Sequence, residues 1–174
     1  IVQLKSGGYL IFDQTESLRT LVRDMDAGNF DSLIAIGVNP VYDAPADLDF
    51  AGALQKVNHR IHIGVYQDET SDLCHWHIPE AHYLESWGDV RAYDGTVSFI
   101  QPLIAPMYGG KSAVELLAAL FSKGGSSYDL VRKHWQEERG TEGFETFWRQ
   151  SLAKGVVEKS AFHPKQVQVA AGAE

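Results

Sequence analysis

The sequence predicts an α/β fold in which helices flank a mostly parallel sheet, because strand-like and helix-like segments alternate along the chain. The runs "DSLIAIGVNP" and "HRIHIGVYQDET" are short and apolar and lead into Gly, Asn-Pro or acidic residues. This pattern is typical of buried strands that end in loops. Helical spacing of apolar residues precedes them, at Leu18, Leu21, Val22 and Met25. In a parallel sheet the carboxyl ends of the strands meet at one edge, where ligands bind.

The remaining segments extend the alternation. "PADLDFAGALQKV" and "KSAVELLAALF" predict helices, "CHWHIP" predicts a short strand, and the prolines of "GTVSFIQPLIAP" exclude a helix there. Two further helices are predicted over residues 127–138 and 142–153. We therefore divide the chain into an α/β domain, residues 1–124, and a helical extension with a tail, residues 125–174, that packs on it. The aromatic residues of this extension either cover a neighbouring domain or pack on the sheet of this chain.

Composition restricts the classes of function. The 174 residues are 44% hydrophobic, enough for one domain with a substantial core. A formal net charge of −8 argues against nucleic acid or an anionic membrane as the main partner. The single cysteine, Cys74, excludes a disulfide or an iron–sulfur cluster held within the chain. No apolar run approaches the ~18 residues of a membrane span, so we expect a soluble chain without direct membrane insertion.

The amino-terminal stretch, "IVQLKSGGYL", has neither the pattern of a signal peptide nor an initiator Met. We interpret the chain as a piece of a longer protein.

A histidine-rich stretch, "LCHWHIPEAHYLESWGD", holds the only cysteine and three of the seven histidines. On a strand His75 and His77 share a face, and such a pair binds zinc when His82 or Glu80 supplies a third ligand. Histidines in a short apolar strand are more commonly structural. Cys74 is interpreted as a small buried residue. We therefore assign no catalytic residue and no metal ligand.

Two loops carry the pattern of ligand-binding segments. "APMYGGKSAVELL" resembles a phosphate-binding loop but has Ala105 where that motif needs Gly, so Ser112 is interpreted as a helix cap. In "IGVNPVYDAP", Gly37 leaves room for a ligand, Asn39 offers an amide and Pro40 fixes the exit of the loop. The alternative is a tight turn without a ligand. As an exposed loop residue, Asn39 is expected to contribute within about 1 kcal/mol to stability.

Three segments resemble the molybdopterin oxidoreductase family. They are "LIAIGVNPVYDAPADLDFAGAL", "VYQDETSDLCHWHIPEAHYLESWGDVRAYDGTVSFIQPLIAPMYGGKSAVELLAAL" and "FETFWRQSLAKGVV". The resemblance is closest to the large iron–sulfur and molybdopterin-like subunit of bacterial alternative complex three, a quinol-oxidising respiratory assembly. It covers roughly residues 8–168.

The resemblance implies a Rossmann-like, dinucleotide-binding-like fold and a set of cofactor contacts. In the wider family a G-x-N-P loop lies against the nucleotide end of molybdopterin guanine dinucleotide, and a Thr-rich turn follows the next strand. A later slot, usually Asp, holds His75 here, and the change from carboxylate to imidazole puts cofactor binding at this position in question. The implied cofactor-binding residues are Gly37, Asn39, Pro40, Glu69, Thr70, His75, Glu85 and Gly88.

The relatives in alternative complex three are understood to keep the fold without the molybdenum cofactor. The resemblance therefore implies a scaffold with a vestigial pocket in an electron-transport subunit whose iron–sulfur clusters lie elsewhere in the parent chain. Its partners would be other domains of that chain and subunits of a membrane-bound complex on the periplasmic side of a bacterial membrane. The chain alone is expected to hold no cofactor and to be inactive. The alternatives are a live molybdopterin guanine dinucleotide domain of a molybdenum oxidoreductase and an independent nucleotide- or zinc-binding module.

Overall fold

The computed structural model describes residues 13–163 and two short backbone segments near the amino end. Those segments, β1 (Val2–Gln3) and β2 (Tyr9–Leu10), pair with each other in antiparallel fashion. The sequence predicts a lead-in strand over residues 1–12, and apart from these two short strands that stretch lies outside the described residues. Residues 164–174, which contain the whole of the predicted tail "VQVAAGAE", also lie outside them.

A parallel sheet lies in the first half of the described chain. Its three strands within residues 13–163 are ordered β3-β4-β5 and pair in parallel. They are β3 (Ser32–Ile36), β4 (His59–Gly64) and β5 (Trp76–Pro79). The predicted α/β class, with a parallel sheet flanked by helices, is confirmed here.

Helices connect these strands and form the first hydrophobic core. The helices are α1 (Gln14–Asp26), α2 (Pro40–Asp43), α3 (Phe50–Leu54) and α4 (Glu69–Asp72), with a 3-10 turn over Ala46–Leu48. The Asp13 side chain caps α1 by accepting from the backbone N–H of Glu16 at 3.0 Å. The buried core between the helices consists of Val22, Met25, Leu48, Phe50, Ala53, Leu54 and Val57.

An antiparallel sheet in the second half was not predicted from the sequence. In the described range it consists of β6 (Gly88–Arg91), β7 (Val97–Ile100) and β8 (Val156–Val157), in that order. The helices of this half are α5 (Ala113–Leu120), α6 (Ser127–Arg139) and α7 (Phe144–Lys154). The bounds of α6 and α7 confirm the predicted helices to within two residues.

Aromatic side chains from α6 and α7 pack on this antiparallel sheet. Trp135 and Trp148 each contact the ring of Phe99 edge-on, and the indole N–H of Trp135 donates to Asp89 Oδ2 at 2.6 Å. The buried part of this second core consists of Val97, Phe99, Val131, Trp135, Phe144, Trp148 and Val157. The aromatic residues of the extension therefore contribute to the core of their own chain.

The Gly-Gly-Lys segment joins the two halves through backbone hydrogen bonds. Lys111 N donates to Pro79 O at 3.1 Å, and Ala81 N donates to Lys111 O at 3.0 Å. A Cβ at Gly110 would lie 3.1 Å from both Pro79 O and Ala81 N, so the close approach of the two backbones favours glycine. Ser112 caps α5 as predicted, accepting from the backbone N–H of Glu115 at 3.3 Å.

Candidate functional site

The candidate site lies at the carboxyl edge of the parallel sheet, where β3 and β4 lead into loops. Gly37 follows β3 with a φ of 62°, a left-handed conformation that favours glycine. Its backbone N–H donates to Ile63 O at 2.8 Å and so extends the pairing with β4. The space on its Cβ side faces the carboxylate of Glu80, whose Oε2 is 3.5 Å from the position of an added Cβ.

The side chain of Asn39 crosses from the first loop to the second. Its Nδ2 donates to Glu69 Oε2 at 2.8 Å. Its Oδ1 accepts from the backbone N–H of Thr70 at 3.2 Å and from Thr70 Oγ1 at 2.7 Å. Asn39 is thus half-buried and bonded, which corrects the expectation that it is an exposed loop residue.

Thr70 completes this connection between the loops. The residue is 0% exposed. Its hydroxyl donates to Asn39 and accepts from the backbone N–H of Val41 at 3.1 Å, so both hydrogen-bonding roles of the group are used. Val41 belongs to α2, which Pro40 begins. The structure therefore brings together five of the predicted residues: Gly37, Asn39, Pro40, Glu69 and Thr70.

Local electrostatics favour the charged form of Glu69. The hydrogen bond from the Asn39 amide, followed by one from the Glu69 backbone, holds the pKa of this exposed carboxyl below its ordinary value. Glu69 therefore remains a carboxylate at neutral pH and accepts the amide hydrogen.

A second polar layer lies beneath the loops and centres on His62, which sequence reasoning missed. His62 is 1% exposed. Its Nε2 is 3.2 Å from Val38 O and 3.6 Å from Asp68 Oδ2, and its Nδ1 is 2.9 Å from His77 Nδ1. A carbonyl only accepts, so His62 Nε2 carries the proton, and in a neutral His62 ring Nδ1 accepts from His77 Nδ1–H. The two rings stack with centroids 5.1 Å apart.

Gly64 provides the space for this buried ring. A Cβ at Gly64 would lie 2.6 Å from His62 Cε1, too close for two carbon atoms. The His-x-Gly pattern in "HRIHIGV" was the available signal, because the glycine leaves room for the ring of a histidine two residues before it on the same strand. The alternation of the strand did not single out His62, because it lies between Ile61 and Ile63 in a short apolar run.

Burial shifts the pKa of two groups in this layer. The pKa of His77 lies below its ordinary value, chiefly because burial disfavours the charged ring and secondly because His62 is close. The pKa of Glu80 is raised, again chiefly by burial, and the nearby His62 opposes the shift. Asp68 is fixed by its role as the cap of α4, where Oδ1 accepts from the backbone N–H of Ser71 at 2.9 Å.

His75 lies at the opposite end of the strand from the Asn39 cluster. It precedes β5, and a four-residue strand, roughly 13 Å long, separates it from the carboxyl edge. Its Nε2 is 3.1 Å from the guanidinium of Arg60, and its Nδ1 accepts from the backbone N–H of Arg60 at 3.2 Å. The guanidinium also donates to Leu73 O at 2.7 Å and to Val57 O at 2.7 Å.

Glu85 and Gly88 also lie away from Asn39. Glu85 accepts from the backbone N–H of His82 at 3.1 Å and from that of Met107 at 3.2 Å, so it joins two loops. Gly88 begins β6 opposite Ile100. These contacts are with the antiparallel half of the chain and its connecting loops.

The candidate zinc ligands have separate partners. His77 contacts His62, His75 contacts Arg60, and His82 Nδ1 accepts from the backbone N–H of Leu84 at 3.3 Å. Within the part of the chain that the structure describes, no group of three or more His, Cys, Asp or Glu side chains is placed to hold a metal ion.

The thiol of Cys74 favours its protonated form. Burial raises the pKa of this half-buried group, and Arg60 opposes the shift. The neutral thiol is a poor nucleophile.

The sequence matches no protein-family model, and no curated protein matches it. Among the described residues, no helix is both long enough and apolar enough to cross a membrane.

We expect Asn39→Ala to lower the free energy of unfolding by about 1–3 kcal/mol, because it leaves the buried backbone N–H of Thr70 without a partner. Urea denaturation measures this loss. Asn58→Ala is the matched control: its amide donates to Asp31 Oδ1 at 3.0 Å in an exposed setting, and we expect a change within about 0.5 kcal/mol. Equal losses of unfolding free energy in the two variants would show that the Asn39 hydrogen bonds stabilise the fold no more than an exposed hydrogen bond does.

Acidification should destabilise the fold through His77. Because the pKa of His77 is lower in the folded state than its ordinary 6.5, the unfolded chain binds the proton at higher pH. The contribution of His77 to stability is therefore present above about pH 6.5 and is lost as the pH falls through the folded-state pKa.

The measurement is the midpoint of urea denaturation as a function of pH, between about pH 8 and 5, for the wild type and for His77→Gln. Glutamine keeps an N–H donor for His62 but does not titrate in this range. We expect a flatter profile in His77→Gln. Glu80 has the opposite sign, since its raised pKa favours folding at low pH, but it is present in both proteins. His134→Gln, on the exposed face of α6, controls for loss of a histidine. Identical profiles for wild type and His77→Gln would contradict the assignment.

Proposed function

We propose that this chain is the α/β domain of a molybdopterin-oxidoreductase-like subunit in a quinol-oxidising respiratory complex. In this proposal it is a Rossmann-like scaffold whose nucleotide pocket is closed by its own side chains. The resemblance of the three quoted segments supports the family, and a G-x-N-P loop at the carboxyl edge of a parallel sheet agrees with it. The observation that carries the scaffold role is the internal use of Asn39.

A loop that binds the guanine end of a dinucleotide needs hydrogen-bonding groups free to meet the ligand. Here the amide oxygen of Asn39 accepts two hydrogen bonds from Thr70, and its nitrogen donates to Glu69. A nucleotide that bound through the Asn39 side chain would have to break these bonds and leave the buried Thr70 N–H unpaired. The cost of such an orphaned donor, about 1–3 kcal/mol, opposes binding.

The charge of this edge also opposes a nucleotide. The loops "GVNPVYDAP" and "YQDETSD" contain no Lys or Arg, whereas Asp68, Glu69 and Glu80 place three carboxyl groups around it. A pyrophosphate at these two loops would meet acidic groups instead of the cations or open helix ends that hold phosphates. Lys111, whose backbone pairs beside Glu80 at the end of β5, lies outside the two loops. A scaffold without the molybdenum cofactor agrees best with this arrangement.

In the parent protein, other domains would hold the iron–sulfur clusters, and other subunits would supply the quinol site and the membrane attachment. The domain would then lie on the periplasmic side of a bacterial membrane, and its contribution would be structural. The isolated chain would have no oxidoreductase activity.

The test is to purify the full-length protein from its native membranes in mild detergent and to measure molybdenum, tungsten, iron and zinc. Released pterin is measured by fluorescence on the same sample, with a known molybdenum enzyme from the same cells as the positive control. We expect co-purifying subunits and iron, without molybdenum, tungsten or pterin.

Molybdenum and pterin stoichiometric with the chain would contradict the scaffold role and favour a live cofactor domain. A protein that purifies alone and without iron would contradict the respiratory complex itself. Zinc as the sole metal would favour an independent metal-binding module.

A further inference from the structure

A polar cleft of about 210 Å³ lies between α7 and the turn that follows β8. Phe147, Ser151 and Lys154 fall at i, i+4 and i+7 on α7, so one face of the helix lines the cleft. Gly155 ends α7 with a φ of 72° and turns the chain into β8. The turn after β8 brings Lys159 back to the same cleft. We call this space the α7 cleft, and the lining residues that matter here are Arg139, Phe147, Ser151, Lys154, Glu158 and Lys159.

An aromatic ring positions the guanidinium of Arg139 beside the cleft. Arg139 is the last residue of α6, and its Cζ lies 4.7 Å from the centroid of the Phe147 ring on α7. This cation–π contact orients the planar guanidinium without using its N–H groups. Among the residues that the structure describes, the Arg139 side chain has no ion pair and no hydrogen bond. Its N–H groups are therefore available to an anion, which a guanidinium binds in bidentate fashion.

Of the three cations that line the cleft, one has an internal partner. Lys154 Nζ donates to Glu158 Oε1, and this hydrogen bond is the main reason why the pKa of Glu158 lies below its ordinary value. Glu158 is the sole carboxylate among the described lining residues. Lys159 attracts Glu158 more weakly, and within residues 13–163 it forms no ion pair. Arg139 and Lys159 therefore leave two positive charges in the cleft that no salt bridge neutralises.

The hydroxyl of Ser151 is the second polar feature of the α7 cleft. Ser151 borders the cleft, yet the residue is only 4% exposed. Its side chain forms no hydrogen bond with any residue in the described part of the chain. Buried hydroxyl groups normally have a partner, and an acceptor bound in the cleft would supply one.

Helix ends do not account for all of these cations. Basic side chains are favourable in the last turn of a helix, which accounts for Arg139 on α6 and Lys154 on α7. Lys159 lies beyond β8 and belongs to no helix. Its φ of 59° is a left-handed conformation that is uncommon in residues other than glycine. Conformations of this kind cluster at functional sites, ligand-binding turns included.

We propose that the α7 cleft binds a small dianion, a dicarboxylate or a phosphate, with Arg139 and Lys159 as charged anchors and the Ser151 hydroxyl as a further donor. Two unpaired cations match two negative charges. The volume of about 210 Å³ favours a small ligand, since pockets for drug-sized molecules hold roughly 300–1,000 Å³.

The net charge of the whole chain, −8, does not exclude an anion at this place. At physiological ionic strength, exposed charges farther away than about 8 Å are largely screened, so the local cations decide. The proposal is independent of the cofactor question, because it rests on α6, α7 and the turn after β8 and not on the Asn39 cluster.

The test is an NMR titration of the isotopically labelled chain with succinate, with inorganic phosphate and, as a monoanion for comparison, with acetate. The titrations are made at about pH 8, where phosphate is mainly a dianion. The backbone amide signals of Ser151, Val156 and Lys159 report binding in the cleft. Those of Gly37 and Asn39 report the carboxyl edge of the parallel sheet.

We expect saturable changes of the cleft signals with millimolar succinate or phosphate, while the signals of Gly37 and Asn39 stay unchanged. Acetate should bind more weakly, and added sodium chloride should weaken binding of the dianion. Saturation by succinate alone identifies a dicarboxylate site, and saturation by phosphate alone identifies a phosphate site. Saturation by both supports a site selective for dianions of either chemistry.

Substitutions test the assigned anchors. Arg139→Gln and Lys159→Gln should each raise the Kd of the dianion about tenfold, because each removes a charged donor. Ser151→Ala should raise it about threefold, since a neutral donor is lost. Arg149→Gln is the matched control, because Arg149 is exposed on α7 and does not line the cleft. It should leave the Kd unchanged, and unchanged amide signals away from the cleft show that each variant is folded.

Four results would overturn the proposal. They are the absence of saturable change in the cleft signals with either dianion, binding of acetate as tight as that of the dianion, a Kd that neither Arg139→Gln nor Lys159→Gln alters, and a loss of affinity in Arg149→Gln as large as that in Arg139→Gln.

Discussion

Two loops follow β3 and β4, and the side-chain amide of Asn39 holds them together. With one oxygen it accepts both the backbone N–H and the hydroxyl of Thr70, and with its nitrogen it donates to Glu69. The Thr70 hydroxyl in turn accepts a hydrogen bond from the backbone N–H of Val41, near the start of α2. The conformations of α2, α4 and the loop of Gly37 are therefore linked through one amide, and removing a member of a partly buried network of this kind has a cost.

The imidazole rings of His62 and His77 connect these loops to the strands of the sheet. His62 reaches Val38 O in the first loop, approaches Asp68 in the second and contacts His77 on β5. Each of the three strands, or the loop that follows it, thus contributes to one continuous polar cluster. The cluster uses its hydrogen-bonding groups internally, and its carboxyl groups oppose anionic ligands.

Strand and loop patterns were sufficient to place the first loop correctly. A short apolar run ending in Gly-x-Asn-Pro must put Gly37 and Asn39 at the carboxyl edge, and parallel pairing brings Glu69 and Thr70 beside them. His62 could not be found from alternation alone, because a parallel strand is covered on both faces and the imidazole is buried opposite the isoleucines. His75 was grouped with the cofactor residues because of its position in a motif. The position of His75 along the strand depends on the register, in which Ile61 pairs with Trp76. His75 therefore lies beside Arg60. The antiparallel sheet escaped prediction for two reasons. The Asp94-Gly95 turn that joins β6 to β7 is a local hairpin signal that was not used, whereas β8 is a two-residue strand far along the chain, and such pairing leaves little local pattern.

The central claim is that the carboxyl edge of the parallel sheet is closed to a nucleotide. The most direct measurement is an NMR titration of the isotopically labelled chain with guanosine diphosphate, which has the chemistry of the nucleotide end of molybdopterin guanine dinucleotide. The backbone amide signals of Gly37, Asn39 and Thr70 report binding. A closed edge predicts no saturable change in these signals up to millimolar nucleotide. Saturable changes confined to residues 37–40 and 69–70 would show that the Asn39 connection opens to admit the ligand, and would contradict the account.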